Sequence, residues 1–244
     1  MKNYLPRLVP YLWVACLMGS AHAQISLDEL NLDEDVSSWY DDNAGPELLE
    51  IYEGKIFQLN INITTRKTFS AFKSAQWIDG DVYFRGKLYQ DIPLKYDLYS
   101  DQLTVLNVAG SPLQPIIPNQ GDIEWFDLEG DLFRNLPAAS APEAAGGIYH
   151  MLYSGKGVAL LVKRVKRQVV EGRQLEFVES TKHFIQVGDQ FYRLRNKKSF
   201  MLAFEANKNE IKSFTASRGL KIKPSNEADL ITLIKYCESL NQAE

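Results

Sequence analysis

Apolar and polar side chains alternate with a period of two through residues 82–89. Val82, Phe84 and Leu88 oppose Tyr83, Arg85, Lys87 and Tyr89. This is the pattern of a strand with one buried face, and it predicts that the second set shares the exposed face. Ile78 and Val82-Tyr83-Phe84 flank Asp79-Gly80-Asp81, which reads as a hairpin turn. Residues 48–60 read as one strand. Further pairs are expected around Ser100-Asp101, between Tyr96–Tyr99 and Leu103–Val108, and around Glu129-Gly130, between Trp125-Phe126 and Leu132-Phe133. Ser111–Gln120 carries three prolines and reads as a loop. Leu136–Gly147, rich in Ala and Pro, reads as an excursion between strands. Residues 158–170 pair with 173–179 across Glu171-Gly172, and 183–187 pair with 190–195 across Gly188-Asp189.

After Arg195 the apolar period becomes helical. Ser199 reads as the cap of a short turn through Phe204, and Asn207 with Glu210 as a capping box. Gly219 suits a left-handed helix end, with Leu220 placed to touch Phe214. A last helix follows Pro224, capped by Ser225 or Asn226, with Leu230, Leu233, Ile234, Cys237 and Leu240 on one stripe. Hairpins first and helices gathered at the end predict an α+β fold: a mainly antiparallel β body of eight or more strands with a short C-terminal helical segment, roughly 199–241.

The N-terminus changes the setting. Lys2 and Arg7 precede an apolar run, Leu8–Gly19, and Ala21-His22-Ala23 has the small-x-small form of a cleavage site. Residues 1–23 read as a signal peptide too short to span a bilayer. A lipoprotein signal ending at Cys16 fits less well, because Trp13 and Val14 are poor residues before such a cysteine. Residues 24–47 form an acidic lead-in around Trp39-Tyr40, without calcium-loop spacing, and residues 48–244 read as a single β-rich domain. Cleavage would leave 221 residues with Cys237 as the one cysteine, so the fold is expected to rest on its core rather than on disulfides. The helical stripe places Cys237 inside, as an inert small hydrophobe.

Charge is divided along the chain. Residues 24–135 carry 8 Lys and Arg against 20 Asp and Glu, whereas 136–244 carry 17 against 11. The simplest reading is mutual attraction within one folded unit; the alternative is a basic half that meets phosphate head groups or acidic glycans. The run Lys163-Arg164-Val165-Lys166-Arg167 is the clearest basic feature. In a strand its side chains go to both faces, with Glu176 and Glu179 opposite, so it reads as a polar exposed strand with anion contact as the alternative. Nucleic-acid binding does not suit an exported, net-acidic chain.

Candidate chemistry is sparse. No Gly-x-Ser-x-Gly nucleophile elbow occurs. His150 and His183 read as packed or sheet-face histidines, and their spacing is not that of metal ligands. No metal and no cofactor is expected. A glycosidase-like carboxylate pair is a spatial arrangement that spacing does not reveal.

Three stretches, Tyr83–Tyr89 leading into Ile92–Leu103, Tyr149–Arg167 and the helical tail, resemble in their order a family of uncharacterised secreted proteins of Bacteroidota. The resemblance implies an envelope location and carries over no activity or site. The expectation is therefore an exported periplasmic or cell-surface protein, non-catalytic, with no transmembrane segment after cleavage. It would bind an envelope protein, a glycan or a lipid head group. Tyr83, Arg85, Lys87 and Tyr89 are the first candidate binding residues, and Lys163, Arg164, Lys166 and Arg167 the second. A carboxylate-dependent hydrolase of envelope glycans and a structural subunit of an envelope assembly are the alternatives.

Overall fold

Arg85 (φ 50°) and Gly86 (φ 77°) are both left-handed. They form the two-residue turn between β3 (Ile78–Phe84) and β4 (Lys87–Asp97). Positive φ at both central positions is the turn whose twist matches that of paired strands. The computed structural model to which these elements belong describes residues 50–57, 65–66, 68–109, 112–137, 146–172 and 174–241, all inside one compact unit, 44–244. The turn expected at Asp79-Gly80-Asp81 lies within β3 instead. Glycine is required at position 80 because a Cβ there would stand 2.1 Å from the Asp127 carbonyl oxygen of the neighbouring strand.

Moving the turn reverses one expected face. Val82 pairs with Tyr89 and Tyr83 with Leu88, so Tyr89 enters the core at 7% exposure while Leu88 is 48% exposed. A one-residue change of phase does this to every side chain beyond it.

Among the described residues twelve strands make one sheet. The others are β1 (Gly54–Ile56), β2 (Thr65–Arg66), β5 (Gln102–Asn107), β6 (Gln114–Pro118), β7 (Ile123–Leu128), β8 (Asp131–Leu136), β9 (Gly147–Ser154), β10 (Val158–Glu171), β11 (Gln174–Val187) and β12 (Gln190–Leu194). The order is β1-β6-β5-β4-β3-β7-β8-β9-β10-β11-β12, antiparallel throughout, with β2 added in parallel beside β11. The turns at Asp101 and at Glu129-Gly130 stand where the sequence puts them, with Asp101 and Glu129 at φ 57° and 52°. Two expectations change. Residues 174–179 and 183–187 belong to one 14-residue strand, β11, paired along its length with β10, while 173 lies outside the described residues. Residues 114–118 form a strand despite Pro115 and Pro118. The proline carbonyls still accept, as the Phe57 amide shows by donating to Pro115 O at 2.8 Å, and a strand next to the sheet edge tolerates the missing donors. Of the strand expected at 48–60, residues 50–52 form a 3-10 turn and 54–56 a strand, while 48, 49 and 58–60 lie outside the described residues.

The sheet rolls up. β4 and β10 are five neighbours apart, about 24 Å if the sheet were flat. Yet the Lys166 amide of β10 donates to Leu98 O, just past β4, at 2.9 Å. The ladder between β9 and β10 ends at Val162 and His150, and the β4–β5 corner lies against β10 beyond that point. There Asp101 accepts from the Tyr96 hydroxyl at 2.7 Å and from Lys163, whose ammonium also reaches Ile148 O at 3.0 Å. Residues 68–73 complete the closure as a strap. Phe72 and Leu98 amides exchange bonds with Tyr96 O and Ser70 O, and Thr68 bonds both ways with the Phe177 backbone on β11. Lys166 fastens the strap: its ammonium donates to Phe69 O at 3.0 Å and Ala71 O at 2.7 Å and lies over the Phe69 ring.

The concave side of the roll is filled by Val82, Phe84, Leu94, Tyr96, Phe126 and Phe133 among others, with Ile51 and Phe72 added from outside the strands. The far end of the sheet buries a second core under three helices, α1 (Lys197–Ala203), α2 (Lys208–Arg218) and α3 (Glu227–Asn241). Asn196 caps α1, and Ser199 completes the box from the third helical position rather than capping it. Asn207 precedes α2 without a side-chain capping bond, and Gly219 ends it at φ 63°. Leu230, Leu233, Ile234 and Cys237 are fully buried, and burial pushes the Cys237 thiol up to about 12. Among the described residues no helix is long and apolar enough to cross a membrane.

Replacing Lys166 by Met is expected to lower stability by about 1.5–3 kcal/mol, the range for charge-assisted hydrogen bonds. It should also expose the strap to proteolysis. Arg167→Met, at an exposed neighbour, should stay within about 0.5 kcal/mol of the parent. Urea unfolding and limited proteolysis measure both.

Candidate functional site

The first group of sequence candidates does not form a shared face. Tyr83 stacks on Trp125 across β3 and β7, with ring centres 5.8 Å apart. Arg85 sits in the turn, paired with Asp122 at 2.8 Å and Glu53 at 3.0 Å, and Lys87 lies 3.7 Å from Glu50. Tyr89 points inward. The basic run is also internally engaged. Lys163 holds Asp101 and Lys166 holds the strap. Arg164 donates from one guanidinium nitrogen to both Glu227 oxygens at 3.1 Å and approaches Glu179 at 3.5 Å. Arg167 alone of the four is exposed.

Arg164 joins the two histidines into one network. Its Nε donates to His150 Nδ1 at 3.1 Å, so Nδ1 must be the acceptor and Nε2 carries the hydrogen toward Asp131 Oδ1 at 3.0 Å. His183 Nε2 lies 2.9 Å from Glu227 Oε1, and Lys73 pairs with Asp131. His150 stacks on Phe133 at 4.8 Å with Phe72 edge-on. Burial, then the Arg164 charge, holds its pKa below the usual histidine value, while the His183 and Arg164 contacts keep Glu227 below the carboxylate range. Both His150 nitrogens are occupied and neither ring reaches solvent. The network ties α3 to β8–β11; the one imidazole nitrogen it leaves without a partner, His183 Nδ1, is buried. Among the described residues no His, Cys, Asp and Glu group of three or more is arranged to hold a metal ion.

Of the concavities among the described residues, two bear on a ligand. A cleft of about 530 Å³ beside the ends of β7 and β8 is lined in part by Gln120 and Asn135. Both side chains are already committed, Asn135 to Gln120 O and Ile123 O, Gln120 to Leu103 O and Pro118 O. They hold the loop rather than a ligand.

The second, about 340 Å³, lies on the outer face of β4 and β5. Lys95 and Thr104 are cross-strand partners and share that face, opposite Leu94 and Leu103 in the core. Ile78 pairs with Leu94, which brings Trp77 opposite Lys95, and the Lys95 ammonium lies 4.3 Å from the centre of the indole ring. Phe57 and Pro115 form one wall, and Phe69 with Ala71 of the strap the other. Asp97 also lines the space, but Ser70 Oγ (2.6 Å) and the Tyr99 and Ser100 amides (2.8 and 2.9 Å) donate to its carboxylate. Desolvation lowers the Lys95 pKa. The pocket thus sets Lys95, which makes no ion pair among the described residues, and Asp97 against aromatic walls, in a cavity in the size range of small-molecule sites.

No family model, curated protein or solved structure matches the chain.

Lys95 and Thr104 read in the sequence as ordinary polar positions of half-buried strands, and Trp77 as a residue before a strand. Their alternation gives the face. The walls come from β1, β6 and the strap, whose meeting has no local signal.

The His150 network makes stability pH-dependent. The folded-state pKa of His150 lies below 6.5, the unfolded value. Its contribution is therefore complete above about pH 6.5 and is lost as pH falls toward the folded pKa, with a limiting slope of about 1.4 kcal/mol per unit. Urea unfolding from pH 7.5 to 5 should show this loss, and His150→Gln should flatten it; an unchanged slope in the variant would remove His150 as its source.

Proposed function

We propose that the chain is an exported, non-catalytic binding protein of the cell envelope that holds a small organic ligand in the pocket over β4 and β5. The observation that carries this reading is the Lys95 ammonium, half-buried among Trp77, Phe57 and Phe69 with no ion-pair partner among the described residues. A cation left without a counter-charge in an apolar recess is destabilising in the empty protein. The signal-like N-terminus and the likeness of three stretches to secreted Bacteroidota proteins support the envelope setting. Among the described residues the carboxylates with displaced pKa values, Asp122, Glu205, Glu227 and Glu238, are displaced downward by their hydrogen-bonding partners. That favours the ionised form, the reverse of what a general acid needs.

Native mass spectrometry of the mature protein, purified gently from its own envelope, tests the reading. A bound small mass is expected, absent from Ala75→Trp, a variant that fills the pocket from an exposed position. A mass retained by that variant, or none in the parent, would sink the pocket as the site.

A further inference from the structure

We infer that the ligand of this pocket is a monocarboxylate with a flat apolar body, its carboxylate on Lys95 and Thr104 and its body against Trp77, Phe57, Phe69 and Pro115. The inference rests on the pocket being a ligand site and adds the chemical class.

Charge decides first. A neutral ligand that closed the pocket would strip water from Lys95 and put nothing in its place, leaving a buried cation unpaired. A carboxylate supplies both the charge and hydrogen-bond acceptors, and charge-assisted bonds are the strong ones. Among the described residues Lys95 is the one cation lining the pocket, and Asp97 lines the same space two residues further along β4. A second negative charge on the ligand would face that carboxylate, which is already held by Ser70 and two backbone amides and so is fixed in place. One negative charge is favoured and two are opposed.

Shape and polarity decide next. Apart from Lys95, Thr104, Asp97 and Ser70, the lining is Phe57, Phe69, Ala71, Ala75, Trp77 and Pro115. A sugar would bring more hydroxyl groups than these few polar side chains satisfy, and each unpaired one carries a desolvation cost. A flat hydrocarbon body loses nothing there and gains aromatic contact. The volume, about 340 Å³, equals that of about eleven liquid waters, so the body is one or two rings or a short chain, not a long lipid tail.

Isothermal titration calorimetry of the mature protein at pH 7.5 with benzoate and indole-3-acetate, against benzamide, indole-3-acetamide and phenyl phosphate, separates the outcomes. Each acid is expected to bind about tenfold or more tightly than its amide, the effect of one charge-assisted bond, and more tightly than phenyl phosphate. Lys95→Met should abolish the preference for acid, weakening acid more than amide; its cation makes no ion pair in the parent, so the variant is expected to fold. Equal binding of acid and amide would overturn the carboxylate assignment and leave the pocket as a site. Tighter binding of phenyl phosphate would overturn the single charge. If no probe binds the parent while Lys95→Met retains its fold, the class and the site both fall.

Discussion

Everything in the roll depends on β10 leaving β9 after Val162. Up to that point β10 is an ordinary sheet strand, and beyond it the neighbour is missing. Two lysines fill the role of the lost ladder: Lys163, turned to one face, takes Asp101 from the β4–β5 corner, and Lys166, turned to the other, takes two carbonyls of the strap. Each ammonium is a multiple donor on a flexible stem, suited to gathering carbonyl and carboxylate oxygens that do not lie in strand register. The backbone of β10 past the split finds its partner at the same corner, where the Lys166 amide donates to Leu98 O.

The strand content, the turns at Asp101, Glu129-Gly130 and Gly188-Asp189, and the helical end are readable because each rests on local chemistry. Periodicity gives the faces, and residues that tolerate positive φ give the turns. The misplaced turn at Asp79-Gly80-Asp81 shows the limit of that method. Asp-Gly is a good turn signal, but here the glycine answers to a carbonyl on β7, a residue nearly fifty positions away. Arg85-Gly86 makes the turn, and the phase of Tyr89 follows from it. The basic run illustrates the same limit for function. Four cations in five residues look like a surface for anions, yet the partners of three of them, Asp101, Glu227 and the strap carbonyls, are 62 to 97 residues away in sequence and become visible only when the sheet closes. The pocket is less legible still, because Lys95 has no feature that sets it apart from any lysine on a half-exposed strand.

The histidine network and the pocket show two opposite ways of handling buried charge. Around Arg164 every cation has its anion, and the imidazole between Asp131 and Arg164 is held in a single tautomer. Such a network fixes where α3 docks, through Glu227, more than it adds stability, since paired buried charges roughly balance their desolvation. In the pocket the balance is left open at Lys95. The contrast lies within one sheet, and it separates the part of the charge distribution that holds the frame from the part that is available to something else.

The strap that closes the roll is also a wall of the pocket. Phe69 and Ala71 line the cavity while their carbonyls receive Lys166. Whatever settles against that wall adds its binding energy to the fastening of the whole sheet, and loosening the fastening weakens the hold on the occupant by the same amount. The fold therefore acts as its own gauge: a compound that enters would raise the temperature at which the protein melts, in proportion to the logarithm of its concentration once saturating. An unlabelled chemical library could be sorted by that shift alone, with no assay of function needed.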